Sequence, residues 1–164
     1  MATPPPTTTT YITHLHPIYR IWFLWADPII TWATVGAAFL SPGLLYDALM
    51  PPHLSAARDP THDFLIRQMG ALYIPIALAA TVLLRATRDF AVWKIVQGSI
   101  LVVDAILVAL IFSSLKDREV LYRPAEWIAN DWQNLGLTVW VAVLRALFAA
   151  GFGVKTESVK SKSI

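Results

Sequence analysis

Cysteine is absent from the 164-residue chain. Disulfides, thiolate metal sites and a cysteine nucleophile are thereby excluded. Charge is also scarce: Asp, Glu, Lys and Arg supply 15% of the residues, against about 25% in soluble domains. The net charge is +2 and no run of Lys and Arg occurs, so the electrostatic footprint of a nucleic-acid binder is missing. A Walker sequence, a Gly-rich phosphate loop, a serine nucleophile elbow and HExxH are all lacking. The histidines show no metal spacing. His14 and His16 alternate in the opening segment, and His53 and His62 are nine apart in a loop. No metal, haem or other cofactor is expected.

Apolar surface is abundant instead. The chain is 56% hydrophobic and 12% aromatic, with seven Trp, and its mean hydropathy is +0.54. A small soluble domain cannot hide that much apolar surface; a bilayer removes the need, and Trp and Tyr anchor helices at the headgroup level. Four apolar stretches follow one another, over about 18–40, 65–84, 92–114 and 132–152. Each approaches the ~20 residues that cross ~30 Å of hydrocarbon. Helix is the only open-chain way to satisfy the backbone there, so the predicted fold is all-α: a four-transmembrane-helix bundle with a polar-centred core.

The segments between are punctuated accordingly. Ser41-Pro42-Gly43 stops the first helix, and Pro51-Pro52 breaks the loop after it. Residues 44–50 are expected to form a short interfacial helix. Thr61-His62-Asp63 is expected to cap the second span and Asn130 or Asp131 the fourth. The polar turn Arg85–Asp89 makes the second and third spans antiparallel neighbours. Pro28 and Pro75 lie within helices and favour kinks. Trp127 and Trp132 are expected as interface anchors. Residues 1–15 are expected to be a disordered Pro/Thr-rich leader without the features of a secretory signal, residues 16–153 the membrane domain, and residues 154–164 a basic flexible tail. Basic residues number seven on the side of the termini (Arg20, Arg85, Arg88, Lys94, Lys155, Lys160, Lys162) and five on the other (Arg58, Arg67, Lys116, Arg118, Arg123). This bias puts both termini in the cytosol, with the endoplasmic reticulum as the default membrane.

Three ionisable residues fall at mid-bilayer depth within the apolar spans: Asp27, Asp104 and Arg145. At mid-bilayer each costs at least ~2.5 kcal/mol, so each must be paired, neutralised or useful. At ~1.5 Å per residue, their depths from the terminal side are roughly 13, 18 and 10 Å, one layer within mutual reach. Seven-residue spacings give each helix a polar seam: Arg20, Asp27 and Thr34; Gln97, Asp104 and Ile111; Asp131, Thr138 and Arg145 with Asn134 alongside. The second span offers Arg67, Gln68 and Tyr73. One arginine cannot compensate two carboxylates, so the spare one is expected to hold a proton and to be usable as a general acid. Structural glue between helices is the other reading of the same triad. Glu126 and Asp131, five apart near Trp127 and Trp132, are read either as an acid/base pair at a cavity mouth or as caps.

The chain resembles a fungal group of small four-helix membrane proteins. The segments carrying the likeness are HPIYRIWFLWADP, RQMGALYIP, RATRDFAVWKIVQGSILVVDAIL, PAEWIANDWQNLG and VLRALFAAG, together most of residues 16–151. Arg20, Arg67, Gln68, Asp89, Trp93, Asp104, Trp127, Asp131, Trp132 and Arg145 match its pattern. Where the group carries Glu before the first-helix proline, this chain has Asp27, one methylene shorter. The resemblance carries no activity of its own. By analogy with small membrane cyclases and isomerases of specialised metabolism, and more loosely with sterol-isomerase-like bundles, it implies chemistry on a lipophilic molecule.

The function expected is therefore a cofactor-independent integral membrane cyclase or isomerase, acting on a terpenoid or polyketide intermediate by carboxylate acid/base chemistry. Asp27, Asp104, Arg145, Glu126 and Asp131 are the candidate catalytic residues. Arg20, Gln68, Tyr73, Trp25, Trp32, Asn134, Thr138 and Trp140 are the candidate substrate contacts, the aromatic faces stabilising developing cations. A membrane binding or scaffold protein and a small proton-coupled transporter are the alternatives. The expected partners are a lipophilic small molecule and the bilayer, with a second copy or a biosynthetic enzyme left open.

Overall fold

The computed structural model describes residues 8–49 and 59–160. The leader before Thr8, the Pro51-Pro52 break, His53, Arg58 and Lys162 lie outside them. Among the described residues, five helices and two strands follow in the order β1 (Thr8–Leu15), α1 (Pro17–Leu40), α2 (Pro42–Leu49), α3 (Pro60–Ala86), α4 (Phe90–Asp117), α5 (Ala129–Ala149) and β2 (Val154–Lys160), with a 3-10 turn at Pro124–Glu126. Four of them, α1, α3, α4 and α5, are long and apolar enough to cross a bilayer. Outward side chains such as Leu72, Ile95 and Leu110 are exposed, an arrangement that lipid contact stabilises.

Local chemistry sets the helix ends. His16 Nδ1 accepts from the Ile18 N–H, and Pro17 fills the first helical position, where a missing N–H costs nothing. Asp59, ahead of the residues expected to cap α3, accepts from the Thr61 N–H at 2.8 Å; that bond holds its carboxyl below the usual range. Asp89 caps α4 through the Ala91 N–H at 2.8 Å. Asp131 reaches back to the Ile128 N–H at 3.0 Å to cap α5. Gly151, at φ 85°, ends α5 in a left-handed conformation that turns the chain back on itself.

Two π turns interrupt the long helices, Trp22–Ala26 in α1 and Ala79–Leu83 in α3. The first ends two residues before Pro28. A proline has no N–H to give the carbonyl four residues back, here that of Leu24. Arg85 fills the vacancy: one of its Nη atoms donates to Leu24 O, the other to Thr81 O at 2.9 Å, and its guanidinium lies 5.1 Å from the Trp25 ring centroid. The kink is thus tied across from α1 to α3.

The terminal segments correct the sequence expectation. Residues 8–15, expected as disordered leader, pair antiparallel with residues 154–160, expected as flexible tail; Thr10 faces Ser158 and Leu15 faces Val154. The run TTTYITHL is β-branched and aromatic, but a strand that short is stable only against a partner, and the partner lies about 140–150 residues away. Ile12 N–H also bonds Arg88 O at 2.8 Å, which fixes the strands against the α3–α4 turn.

Packing closest are α1 with α3 and α4 with α5. The spans α3 and α4, expected as antiparallel neighbours, join through the turn at residues 87–89 but are not among the closely packed pairs; residues of both line a cavity. Gly70 marks the α1–α3 approach, where an added Cβ would sit 2.5 Å from Ala38 Cβ. Gly70→Ala is therefore expected to destabilise by about 1–3 kcal/mol, seen as a lower melting temperature in detergent. Gly36→Ala, with nothing within 4 Å of the new atom, serves as its control. An unchanged Gly70→Ala melt would mean that the helices do not touch there.

Near the strands the four spans share an aromatic core. Phe148, fully buried, lies 5.5 Å from Phe23, 5.6 Å from Tyr19, 5.7 Å from Phe90 and 5.9 Å from Trp93, ring centroid to centroid. Ile12, Leu84 and Leu144 complete it.

Candidate functional site

About one helical turn beyond that core, three helices contribute one polar cluster. Asp27 follows Phe23 by four residues, Gln97 follows Trp93 by four, and Arg145 precedes Phe148 by three. The aromatic packing therefore fixes the level at which the polar groups meet. Arg145 is 2% exposed and uses each of its three nitrogens. Nη2 donates to Asp27 Oδ2 at 2.7 Å, Nη1 donates to Asp104 Oδ2, and Nε donates to Gln97 Oε1 at 3.0 Å. Two acids from α1 and α4 thus share one guanidinium from α5, and with both ionised the cluster carries a net negative charge.

Both carboxylates and Arg145 line a cavity of about 590 Å³. Its walls are Ile30 and Thr34 of α1, Met69, Tyr73 and Ile76 of α3, Ile100, Leu107 and Ile111 of α4, and Leu137 and Val141 of α5. It reaches Ser114 and Asp131, fourteen residues along α4 from Ile100 and along α5 from Arg145. At the helical rise this is roughly 21 Å, so the cavity is elongated along the helices. Leu45 and Ala48 of α2 line the far end. There Asn130 and Asn134 hold the last carbonyls of α2, Asp47 O and Ala48 O, at 2.8 and 3.1 Å. Asp131, also at that end, is paired with Arg118 at 2.6 Å.

A family model described as a domain of unknown function (DUF7704) matches residues 12–155. The chain belongs to this family. No curated protein and no solved structure matches it. The DUF7704 match spans all four helices and the whole polar cluster. It carries neither the fungal source nor the cyclase or isomerase likeness that the sequence resemblance implied.

In this DUF7704 chain, Asp27, Asp104 and Arg145 converge, and Tyr73, Asn134, Thr138 and Asp131 line the same cavity. Thr138 donates to Asn134 O at 2.7 Å. The remaining candidates lie elsewhere. Glu126 stands on the surface, paired with Arg123 at 2.8 Å; the short turn Pro124–Glu126 directs it to its sequence neighbour instead of to Asp131. Gln68 is exposed, and Trp32 is 41% exposed on the outer face of α1. Trp140 is 45% exposed and meets Trp22 edge-on at 6.1 Å, so it backs the cavity wall without forming it. Arg20 and Trp25 line a different cavity near the strands.

One local feature explains both the misplaced Arg20 and a residue that helical spacing missed. The π turn Trp22–Ala26 inserts a residue, which rotates everything before it by about 100° relative to Asp27. Arg20 leaves the Asp27–Thr34 stripe, and Trp22, five residues before Asp27, turns onto the cavity. Its indole N–H is buried and has no partner among the described residues. The available signal was Pro28, because a local π adjustment is one way a membrane helix accommodates a proline.

Proposed function

We propose that the cavity takes an elongated lipophilic molecule and isomerises or cyclises it by proton transfer at the Asp27–Arg145–Asp104 end. The observation that carries this reading is two carboxylates bound to one guanidinium at the end of an apolar cavity. A buried ion cluster gives little net stability compared with apolar packing of the same volume, so its retention in a lipid-embedded bundle favours a working role. The volume lies within the 300–1,000 Å³ typical of small-molecule sites. With one of the two acids protonated, the cluster is neutral. That carboxylic acid donates its proton to an alkene, epoxide or carbonyl. The other carboxylate removes a proton from a neighbouring carbon, and the product is an isomer of the substrate with no net change in protons. The Trp22 N–H is free to hold a substrate oxygen.

The test is isotopic. Cells making the wild-type chain, grown in D₂O, should yield a lipid-soluble product that carries deuterium at the newly protonated position and is absent from cells making an Asp27→Asn chain. Wild-type product without that deuterium would sink the proposal. A second reading, a binding protein whose triad is only a clamp, draws on the three Arg145 nitrogens already committed inside the cluster. It requires a lipid that co-purifies unchanged from both chains.

A further inference from the structure

The second cavity, about 910 Å³, opens between β1, the start of α1 and the α3–α4 turn. Its lining contains Arg20, Arg85, Arg88 and His14, and no Asp or Glu. The nearest acid in sequence, Asp89, spends its carboxylate on the Ala91 N–H. Arg85 is anchored by Leu24 O, Thr81 O and the Trp25 ring. Arg20 and Arg88 are exposed, and neither side chain has a hydrogen-bond or ion-pair partner among the described residues. Three arginines line one crevice whose lining residues include no acid, an arrangement that an anion relieves.

The depth of the site indicates what kind of anion. The arginines cluster where α1 begins and where α3 turns into α4, the level of lipid headgroups for spans of this length. Below them Ile21, Leu24 and Leu84 supply an apolar wall that continues into the hydrocarbon zone. Trp25, 61% exposed, flanks the boundary, as aromatic side chains do at membrane interfaces. Guanidinium groups bind phosphate through paired N–H donors, and a choline or ethanolamine group would meet only positive charge.

We propose that this crevice is a binding site for a phosphate-headed anionic amphiphile, the phosphate held by Arg20, Arg85 and Arg88 and one chain lying along Ile21 and Leu24. The site is separate from the central cavity and does not depend on the reaction proposed there. The full chain, purified in detergent, would be titrated with phosphatidic acid, phosphatidylcholine or inorganic phosphate and read by native mass spectrometry. One phosphatidic acid per chain should survive at energies that strip phosphatidylcholine. The Arg20→Gln/Arg88→Gln pair should weaken it on the order of tenfold. Arg67→Gln/Lys116→Gln removes equal charge elsewhere and should leave it unchanged. Equal retention of the two lipids, equal loss in both double variants, or inorganic phosphate binding as tightly as the lipid would each overturn the proposal.

Discussion

Arg145→Leu is expected to prevent stable assembly of the bundle. The substitution keeps an apolar stem but leaves Asp27 and Asp104 facing each other without a cation. Breaking a buried ion pair by removing one partner costs about 3–5 kcal/mol, and here one removal strands two acids and the Gln97 carbonyl oxygen. Arg145→Lys should rescue only partly, because one ammonium cannot serve three acceptors arranged around a planar fork. The informative comparison is Asp27→Asn/Asp104→Asn/Arg145→Met, which removes every charge together. That triple variant should recover most of the detergent-extracted yield and melting temperature that Arg145→Leu loses. Arg145→Leu melting at the wild-type temperature would mean that the cluster is not the buried, desolvated arrangement described above.

Regular helix is what made this cluster legible from sequence. Seven residues return nearly to the same face, so Asp27 with Thr34, Asp104 with Ile111, and Asp131 with Thr138 and Arg145 could be placed on one side of each helix, and all of them line the cavity. Where the helix departs from that period the inference failed. Arg20 lies across a π turn from Asp27, and Trp22 was missed for the same reason. Glu126 sits in a short turn whose geometry no periodicity describes. The terminal strands depend on pairing across nearly the whole chain, and neither segment shows that pairing by itself. The cavity was equally hidden, since seams say which faces are polar and not how far apart opposing helices stand. Its apolar length comes from Ile100, Leu107, Leu137 and Val141, side chains of the sort expected against lipid.

The second large effect is on turnover. Asp27→Asn and Asp104→Asn, made separately, are each expected to reduce product formation by about 10²–10⁴-fold, the usual contribution of a positioned acid or base. Each should do so without unfolding the protein. A single replacement leaves one carboxylate opposite one guanidinium, a balanced pair, and an amide oxygen still accepts from the freed Arg145 N–H. Stability and turnover therefore separate in the single variants, whereas Arg145→Leu loses both. The double variant Asp27→Asn/Asp104→Asn differs again. It strands Arg145 as a lone buried cation, so its melting temperature should fall, while its turnover should sink little below that of either single, because groups acting as one unit do not add. The measurement is product per unit of chain in isolated membranes, with melting curves for the same samples. If both single variants keep wild-type turnover, no proton passes through these acids, and the shared arginine is a clamp between helices and nothing more.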